Sequence, residues 1–547
     1  MARTQRSPRA REAAPQPASK APSQSPPPSW GPLVAILLLA AFLRLWRLLD
    51  AFPIVGDEAI YLRWAEIIDH QGQWLISLLD GKQPLSYWIY AVERMLFAGA
   101  DPLWMGRLVS AAAGVATAAL LYAIGERLAD RRAGLLAAAL YAVFPWGVMY
   151  DRLVYTEALV NLAGAAVVLV SLWAFEPERA GWRRAALVGL ALGLGYLLKS
   201  TALQYASAPV LIAAWKLRPR WAEAARLLAI AFAVAALFPI FCILATPAAP
   251  TLETHSLVLH STNFFVHQED FLKNPFVVLP QNLGTLGEYL GSFLTWPATA
   301  ALAAALAYLA WRRSAAGLLL VAVSGAALLF QTTALVFFPS RYPFPQMWPL
   351  LVALAIAASD LARRLPSRRQ SQALLAGFAV VVVLPMLARS LGVVLAPRES
   401  IWPSDARYYF GVHAHNGAGM REAIEFLRAE AAQGPLVVLV DPIWGLPADG
   451  VFPYLNQWKG ARVYEAWWTT EPGQPILPRG EAEVIRSHYE RVSAGTVDFR
   501  TAGKVYYLTA TNYHPRAEVQ ARQPGARLAL STPKGDGSES LDLWRLR

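Results

Sequence analysis

The chain has one cysteine, Cys242, in 547 residues. A lone thiol cannot close an intramolecular disulfide or build a cysteine metal site, and this one lies inside an apolar block, so it reads as a core residue. Charge is scarce as well. Asp, Glu, Lys and Arg make up 16% of the residues, against about a quarter in soluble proteins. Apolar residues take their place, at 56%, gathered in blocks many of which approach the ~20 residues that cross a bilayer core.

Those blocks lie near 33–50, 104–125, 133–150, 153–175, 185–200, 202–215, 227–245, 289–310, 315–337, 343–362 and 371–395. The length rule therefore predicts a polytopic α-helical membrane protein with about eleven transmembrane helices. The net charge of +11 does not point to nucleic acid, because the basic residues cluster in short links between the blocks. With the N-terminus in the cytoplasm, every second link is basic: "ERLADRR" from 126, "EPERAGWRR" from 176, "KLRPRWAEAAR" from 216, "WRR" from 311 and "ARRLPSRRQ" from 362. This is the positive-inside asymmetry of a multi-pass protein, here of the plasma membrane. It places the loops 51–103 and 246–288, and everything after 396, on the outer, extracytoplasmic face.

Residues 1–30 are rich in Pro, Ser, Ala and Arg. They cannot bury a core and are expected to be a disordered cytoplasmic tail. The run "LVAILLLAAFLRLWRLL" has no convincing small-residue cleavage site and reads as a first span. From 397 to 547 charge returns and apolar runs shorten. "REAIEFLRAEAA" has helical spacing; "GPLVVLVDP", "GKVYYLTAT" and "LDLWRLR" have strand character. A soluble α/β extracytoplasmic domain follows from that alternation.

Asp57 and Glu58 stand together where the first span ends. The plainest account is that Asp57 caps a helix beginning near Glu58. Beyond the pair, Ile60, Tyr61, Trp64, Ile67 and Ile68 share one helical face and Arg63, Glu66 and Asp69 another. Such a helix can lie in the interface plane, with Asp57 held at the surface. "DGKQPLSYWIYAVERML" then offers Lys82 with Tyr87 and Trp88. A lysine suits a phosphate, and the aromatics suit sugar faces or interfacial anchoring. "YDRLVYTEALV" brings Asp151, Arg152 and Glu157 to the outer end of a span, where charges are costly unless paired or used. Lys199 breaks the positive-inside pattern, and Arg341 and Tyr342 sit on a Pro-rich outer turn. Acids that can move a proton, beside cations that can neutralise a phosphate, are what transfer from a phospholipid-linked donor requires.

The same stretches carry a family resemblance. "LRLWRLLDAFPIVGDEAIY", "GKQPLSYW", "GRLVSAAAG" with Arg107, "DRLVYTEAL", "LGLGYLLKST" and "SRYPFPQMWPLL" together resemble signatures of the C-type superfamily of integral-membrane glycosyltransferases. The likeness is close to bacterial protein O-mannosyltransferase-like and aminoarabinose (lipid A) transferase-like members and covers roughly 33–365. Gln83 stands where the family has a proline and Glu157 where it has Asp. The resemblance implies a C-type glycosyltransferase fold and inverting transfer of a sugar from a polyprenyl-phosphate donor. The acceptor would be a lipid, glycan or protein hydroxyl on the outer face. It makes Asp57 the base or acceptor-orienting group. Glu58 and Glu157 become orienting groups and Asp151 a further acid, with Lys82, Lys199 and Arg341 at the donor phosphate. Tyr61, Tyr87, Trp88, Arg152 and Tyr342 are expected to line the substrate.

No cofactor is expected. His413 and His415 form a His-x-His pair without a further ligand in view, which reads as surface rather than metal site. His255, His260 and His267, with Glu269 and Asp270, lie in a loop read as a mobile cover rather than a divalent-ion site. The competing function is a transporter or flippase with an extracytoplasmic domain. It would need polar groups at mid-depth and related halves, and no repeat is visible.

Overall fold

A computed structural model describes residues 30–248, 264–413, 415–441, 445–455, 460–465 and 503–546. The N-terminal tail before Trp30, His255 and His260 lie outside the described residues. The first ten helices are α1 (Gly31–Leu45), α2 (Gly56–Gln71), α3 (Leu85–Leu96), α4 (Pro102–Leu128), α5 (Arg131–Ala142), α6 (Pro145–Tyr150), α7 (Thr156–Ala174), α8 (Trp182–Leu198), α9 (Ser207–Lys216) and α10 (Trp221–Ala245).

Among the described residues six helices are long and apolar enough to cross a membrane: α4, α7, α10, Ala315–Ala334, Phe344–Arg364 and Arg368–Leu395. Leu279–Leu294 and Trp296–Trp311, bent by 112° at their junction, make seven if they form one span. The expected eleven are not matched by length. α5, α6 and α9 have 12, 6 and 10 residues. At about 1.5 Å per residue, each alone falls short of the ~30 Å hydrocarbon core. Pro145 opens α6, where its missing N–H is harmless, and divides this apolar block from α5. Cys242 is buried, as the sequence predicts. On α10, Leu237, Ile243 and Leu244 are exposed, apolar surface of the kind a lipid-facing helix presents.

The tail contains a five-stranded sheet of β1 (Leu436–Val440), β2 (Ala461–Glu465), β3 (Lys504–Ala510), β4 (Arg527–Lys534) and β5 (Glu539–Arg545), in the order β2-β1-β3-β5-β4. β1 pairs in parallel with β2 and β3, whereas β5 runs antiparallel to β3 and β4. Every residue of β1 is buried, the continuous apolar pattern of a parallel strand covered on both faces. The preceding helix Met420–Gln433 buries Met420, Ala423, Ile424, Leu427 and Ala431, one stripe at helical spacing.

The tail is seated on the segment that leads into α2. Val55 and Asn416 form an antiparallel bridge. Gly56 N–H donates to the His415 carbonyl at 3.2 Å, and Gly417 N–H to the Ile54 carbonyl at 2.9 Å. The approach requires glycine at 417, where a Cβ would lie 2.4 Å from the Ile54 oxygen. The helix Ala448–Leu455 covers α2, with the Arg63 guanidinium 4.0 Å from the Phe452 ring centroid. This corrects the picture of α2 as a helix with one solvated polar face. Arg63 and Glu66 are fully buried and pair with each other.

Candidate active site

The two acids of the opening pair have opposite fates, because adjacent helical residues point about 100° apart. Glu58 is fully buried. Its carboxylate accepts Arg107 Nε at 2.9 Å and Nη2 at 2.7 Å, Val154 N–H at 2.7 Å and Val55 N–H at 3.1 Å. Those bonds fill the lone pairs of both oxygens. Arg107 also donates to the carbonyls of Leu48, Phe52 and Pro53 at 2.9 to 3.0 Å. The Glu58–Arg107 pair thus ties down the turn between α1 and α2 and leaves no carboxylate oxygen for a substrate.

Asp57 stays 27% exposed and forms an ion pair with Arg341. Burial pushes its carboxyl up, but the Arg341 and Lys82 charges and the Arg341 hydrogen bond outweigh that and hold it at about 2. Arg341 lies over Tyr155 and Tyr342, its Cζ 5.7 and 5.5 Å from the ring centroids. Lys82 pairs with Asp80 at 2.7 Å and lies 5.3 and 5.1 Å from the rings of Tyr61 and Trp64. Lys199 pairs with Glu157 at 2.5 Å and lies 5.8 Å from the Tyr342 ring. Tyr61 joins the halves, 5.2 Å from Tyr87 and 6.4 Å from Tyr155, centroid to centroid.

Asp57, Glu157, Lys82, Lys199, Arg341, Tyr61, Tyr87 and Tyr342 therefore converge, although they come from five stretches of the chain. Local structure explains the placement. Lys199 ends α8 with extended backbone, and Ser86 Oγ donates to the neighbouring Leu198 carbonyl at 3.1 Å. Gln83 Oε1 accepts Ser200 N–H at 2.8 Å. The residue that departs from the family pattern thus tethers the turn bearing Lys82 to the end of α8. Gathering three cations against only partly exposed carboxylates, with aromatic faces between, makes a polar cluster suited to an anionic group.

Besides Glu58, which the Arg107 pair withdraws from any orienting role, three expected site residues are held elsewhere. Asp151 is fully buried against Arg44 at 2.9 Å and accepts the Tyr141 hydroxyl at 3.2 Å. Arg152 donates to the carbonyls of Leu43, Arg44, Trp46 and Arg47 at 2.7 to 3.0 Å. It caps the C-terminus of α1, a position that favours a cation. Trp88 donates its indole N–H to the Trp74 carbonyl at 2.6 Å and packs on Trp74 and Phe241. These side chains satisfy a helix end, a buried charge and an aromatic pair.

Sequence reasoning missed Asp80, Tyr155, Tyr409 and the placement of His415. Tyr155 donates to the Tyr409 hydroxyl at 3.1 Å, which brings the start of the tail to the cluster. The His-x-His pair was visible, but nothing in the spacing of residues 57 and 415 indicates that they meet. Among the described residues no group of three or more His, Cys, Asp and Glu gathers as a metal site.

Residues 81–243 match the family model described as dolichyl-phosphate-mannose-protein mannosyltransferase. That stretch holds Lys82, Glu157 and Lys199. In three dimensions the chain is similar to ArnT from Cupriavidus metallidurans bound to undecaprenyl phosphate. The TM-score is 0.61 at 14% identity, over 95% of this chain and 99% of that one. The apo state of the same protein gives 0.60 at 15% identity, over 95% and 98%. The chain shares the fold of that structure over nearly its whole length. No curated protein matches it in sequence. Within this fold the Asp57 cluster joins residues from both sides of the family match: Asp57 precedes it and Arg341 follows it.

Proposed function

We propose that the protein is an inverting glycosyltransferase that moves a sugar from a polyprenyl-phosphate donor to an acceptor hydroxyl on the outer face of the plasma membrane. The observation that carries this reading is the partly exposed Asp57–Arg341 pair beside Lys82 and Lys199, three cations and a carboxylate in one cluster among aromatic rings. The family match and the similarity to a protein bound to undecaprenyl phosphate support it.

The chemistry is a single displacement. The acceptor oxygen attacks the anomeric carbon, the carbon–phosphate oxygen bond breaks, and the lipid phosphate leaves with the electron pair. Arg341, Lys82 and Lys199 neutralise the leaving phosphate, the largest charge developed in the step. Asp57 binds the acceptor hydroxyl as its base or its orienting group. Glu157 holds Lys199, and Tyr61, Tyr87 and Tyr342 wall the sugar. No metal or other cofactor is assigned a step. The acceptor is a lipid, glycan or protein, and the tail domain helps select it. Nothing among the described residues favours the transport alternative.

The test is release of polyprenyl phosphate by purified protein in lipid, with a panel of polyprenyl-phosphate sugars and with Asp57→Asn in parallel. Asp57-dependent release establishes the reaction. A folded wild type that releases none from any donor, with each acceptor class present, refutes it.

A further inference from the structure

The ring of His415 packs directly on the backbone that presents Asp57. A Cβ on Gly56 would lie 2.3 Å from His415 Nδ1, and Gly56 N–H donates to the His415 carbonyl at 3.2 Å. His415 sits at the inner end of a stacked series: its ring is 5.2 Å from that of His413, with 11° between planes, and the His413 ring is 3.8 Å from Tyr408. His413 is itself fixed. Its Nδ1 accepts the His415 backbone N–H at 3.2 Å, and its Nε2 bonds the Tyr408 hydroxyl at 2.7 Å. A ring that accepts at Nδ1 carries its proton on Nε2 and is neutral. His413 is exposed and His415 half-buried, so the series runs from the surface to the Asp57 cluster.

Asp57 is ill-suited to take a proton. It is already bonded to Arg341 and lies close to Lys82, and a carboxylate held at about 2 has little basicity near neutral pH. His415 faces Asp57 from α2, Arg341 from the turn before Phe344–Arg364, Lys534 from the end of β4, and His413 on its own segment. Burial, the largest effect, and the Lys534 and Arg341 charges lower its pKa, while the Asp57 charge works in the opposite direction.

We propose that His415, supplied by the link to the tail domain, takes the proton from the acceptor hydroxyl while the Asp57 carboxylate orients that hydroxyl. This rests on the glycosyltransferase reading above. The acceptor O–H bond breaks as the O–C bond to the sugar forms. The proton passes to a ring nitrogen of His415, the lipid phosphate departs with the bonding pair, and the imidazolium later returns its proton to water. The Asp57 charge beside the ring stabilises the imidazolium. The arrangement makes the acceptor side of the site depend on the tail domain, because only its docking brings residue 415 to residue 57.

Two measurements test it. In the transfer assay His415→Gln should lower kcat by about 10²–10⁴-fold, the usual contribution of a positioned base, with donor KM unchanged. His415→Ala should regain activity on addition of imidazole, which a merely structural role does not allow. A His415→Gln enzyme as fast as wild type overturns the proposal. Separately, the His415 ring is titrated by NMR on ¹³C-histidine-labelled protein, with assignment from the His415→Gln spectrum. Asp57→Asn should lower the pKa of that ring. An unmoved ring would mean that Asp57 does not face it, and the proposal fails. The titration needs no turnover, so a wild type without transferase activity refutes the functional reading while the Asp57–His415 pairing is still read.

Discussion

Arg341 and Asp57 form an ion pair across 284 positions of chain. The turn before the helix Phe344–Arg364 thereby meets the first turn of α2. The pair serves two ends: it keeps the carboxylate ionised in a partly buried place, and it leaves the guanidinium beside two other cations. Asp57→Asn should abolish detectable transfer while the protein still folds, with thermal unfolding in detergent moved below wild type near neutral pH, because the amide keeps the shape and a hydrogen bond to Arg341 but loses the charge pairing. A folded Asp57→Asn protein with full activity would remove Asp57 from the site.

The same pair sets a pH dependence. The folded Asp57 carboxyl lies at about 2, below the ~3.9 of an unfolded aspartate. Its contribution to stability is therefore fully present above about pH 4 and is lost as pH falls through about 2. Between pH 5 and 9 no change in activity should arise from Asp57. Comparing wild type and Asp57→Asn across pH 2–6, the stability difference should narrow at the acid end. A difference that narrows near neutral pH would contradict the pairing.

Glu58 tests structure without touching chemistry. Removing one partner of a buried, hydrogen-bonded ion pair costs about 3–5 kcal/mol, and Arg107 would lose the carboxylate while keeping three carbonyls. Glu58→Ala should therefore unfold at markedly lower denaturant concentration or fail to accumulate. The Glu58→Ala, Arg107→Met double variant should recover part of the loss. Equal instability of the single and double variants would refute the coupling.

How far the sequence carried the site depends on the distance over which each partner is found. Lys82 and Lys199 were legible because each breaks a local rule: one sits in an aromatic cluster, the other against the charge asymmetry of the loops. The strands at 436–440, 504–510 and 539–545 were legible from their apolar runs. Arg152 and Asp151 misled because charge at a span end is ambiguous; whether it serves a substrate, a helix terminus or another charge depends on α1, more than a hundred residues away. The polar side of α2 misled for the same reason, since its cover, Ala448–Leu455, belongs to the tail. Short helices such as α5 and α9 fall below the length that the rule asks of a span.

Lys199 and Glu157 make the last prediction. Lys199 is 22% exposed and bonded to a carboxylate that is 3% exposed, so Glu157 fixes the cation rather than competing for the donor. A hydrogen bond to a charged group contributes about 1.5–3 kcal/mol, roughly 10–100-fold in an equilibrium. Lys199→Met should raise the Kd for polyprenyl phosphate by that factor. Glu157→Gln should raise it less, because the amide oxygen still accepts from the ammonium, and Glu157→Met should approach the Lys199→Met value. Titrating polyprenyl phosphate against each variant, by quenching of the nearby tryptophan Trp64 or by calorimetry, gives the order. If Glu157→Met bound the lipid phosphate more tightly than wild type, the carboxylate would be a competitor for Lys199, and the assignment of Glu157 as its positioning partner would fall.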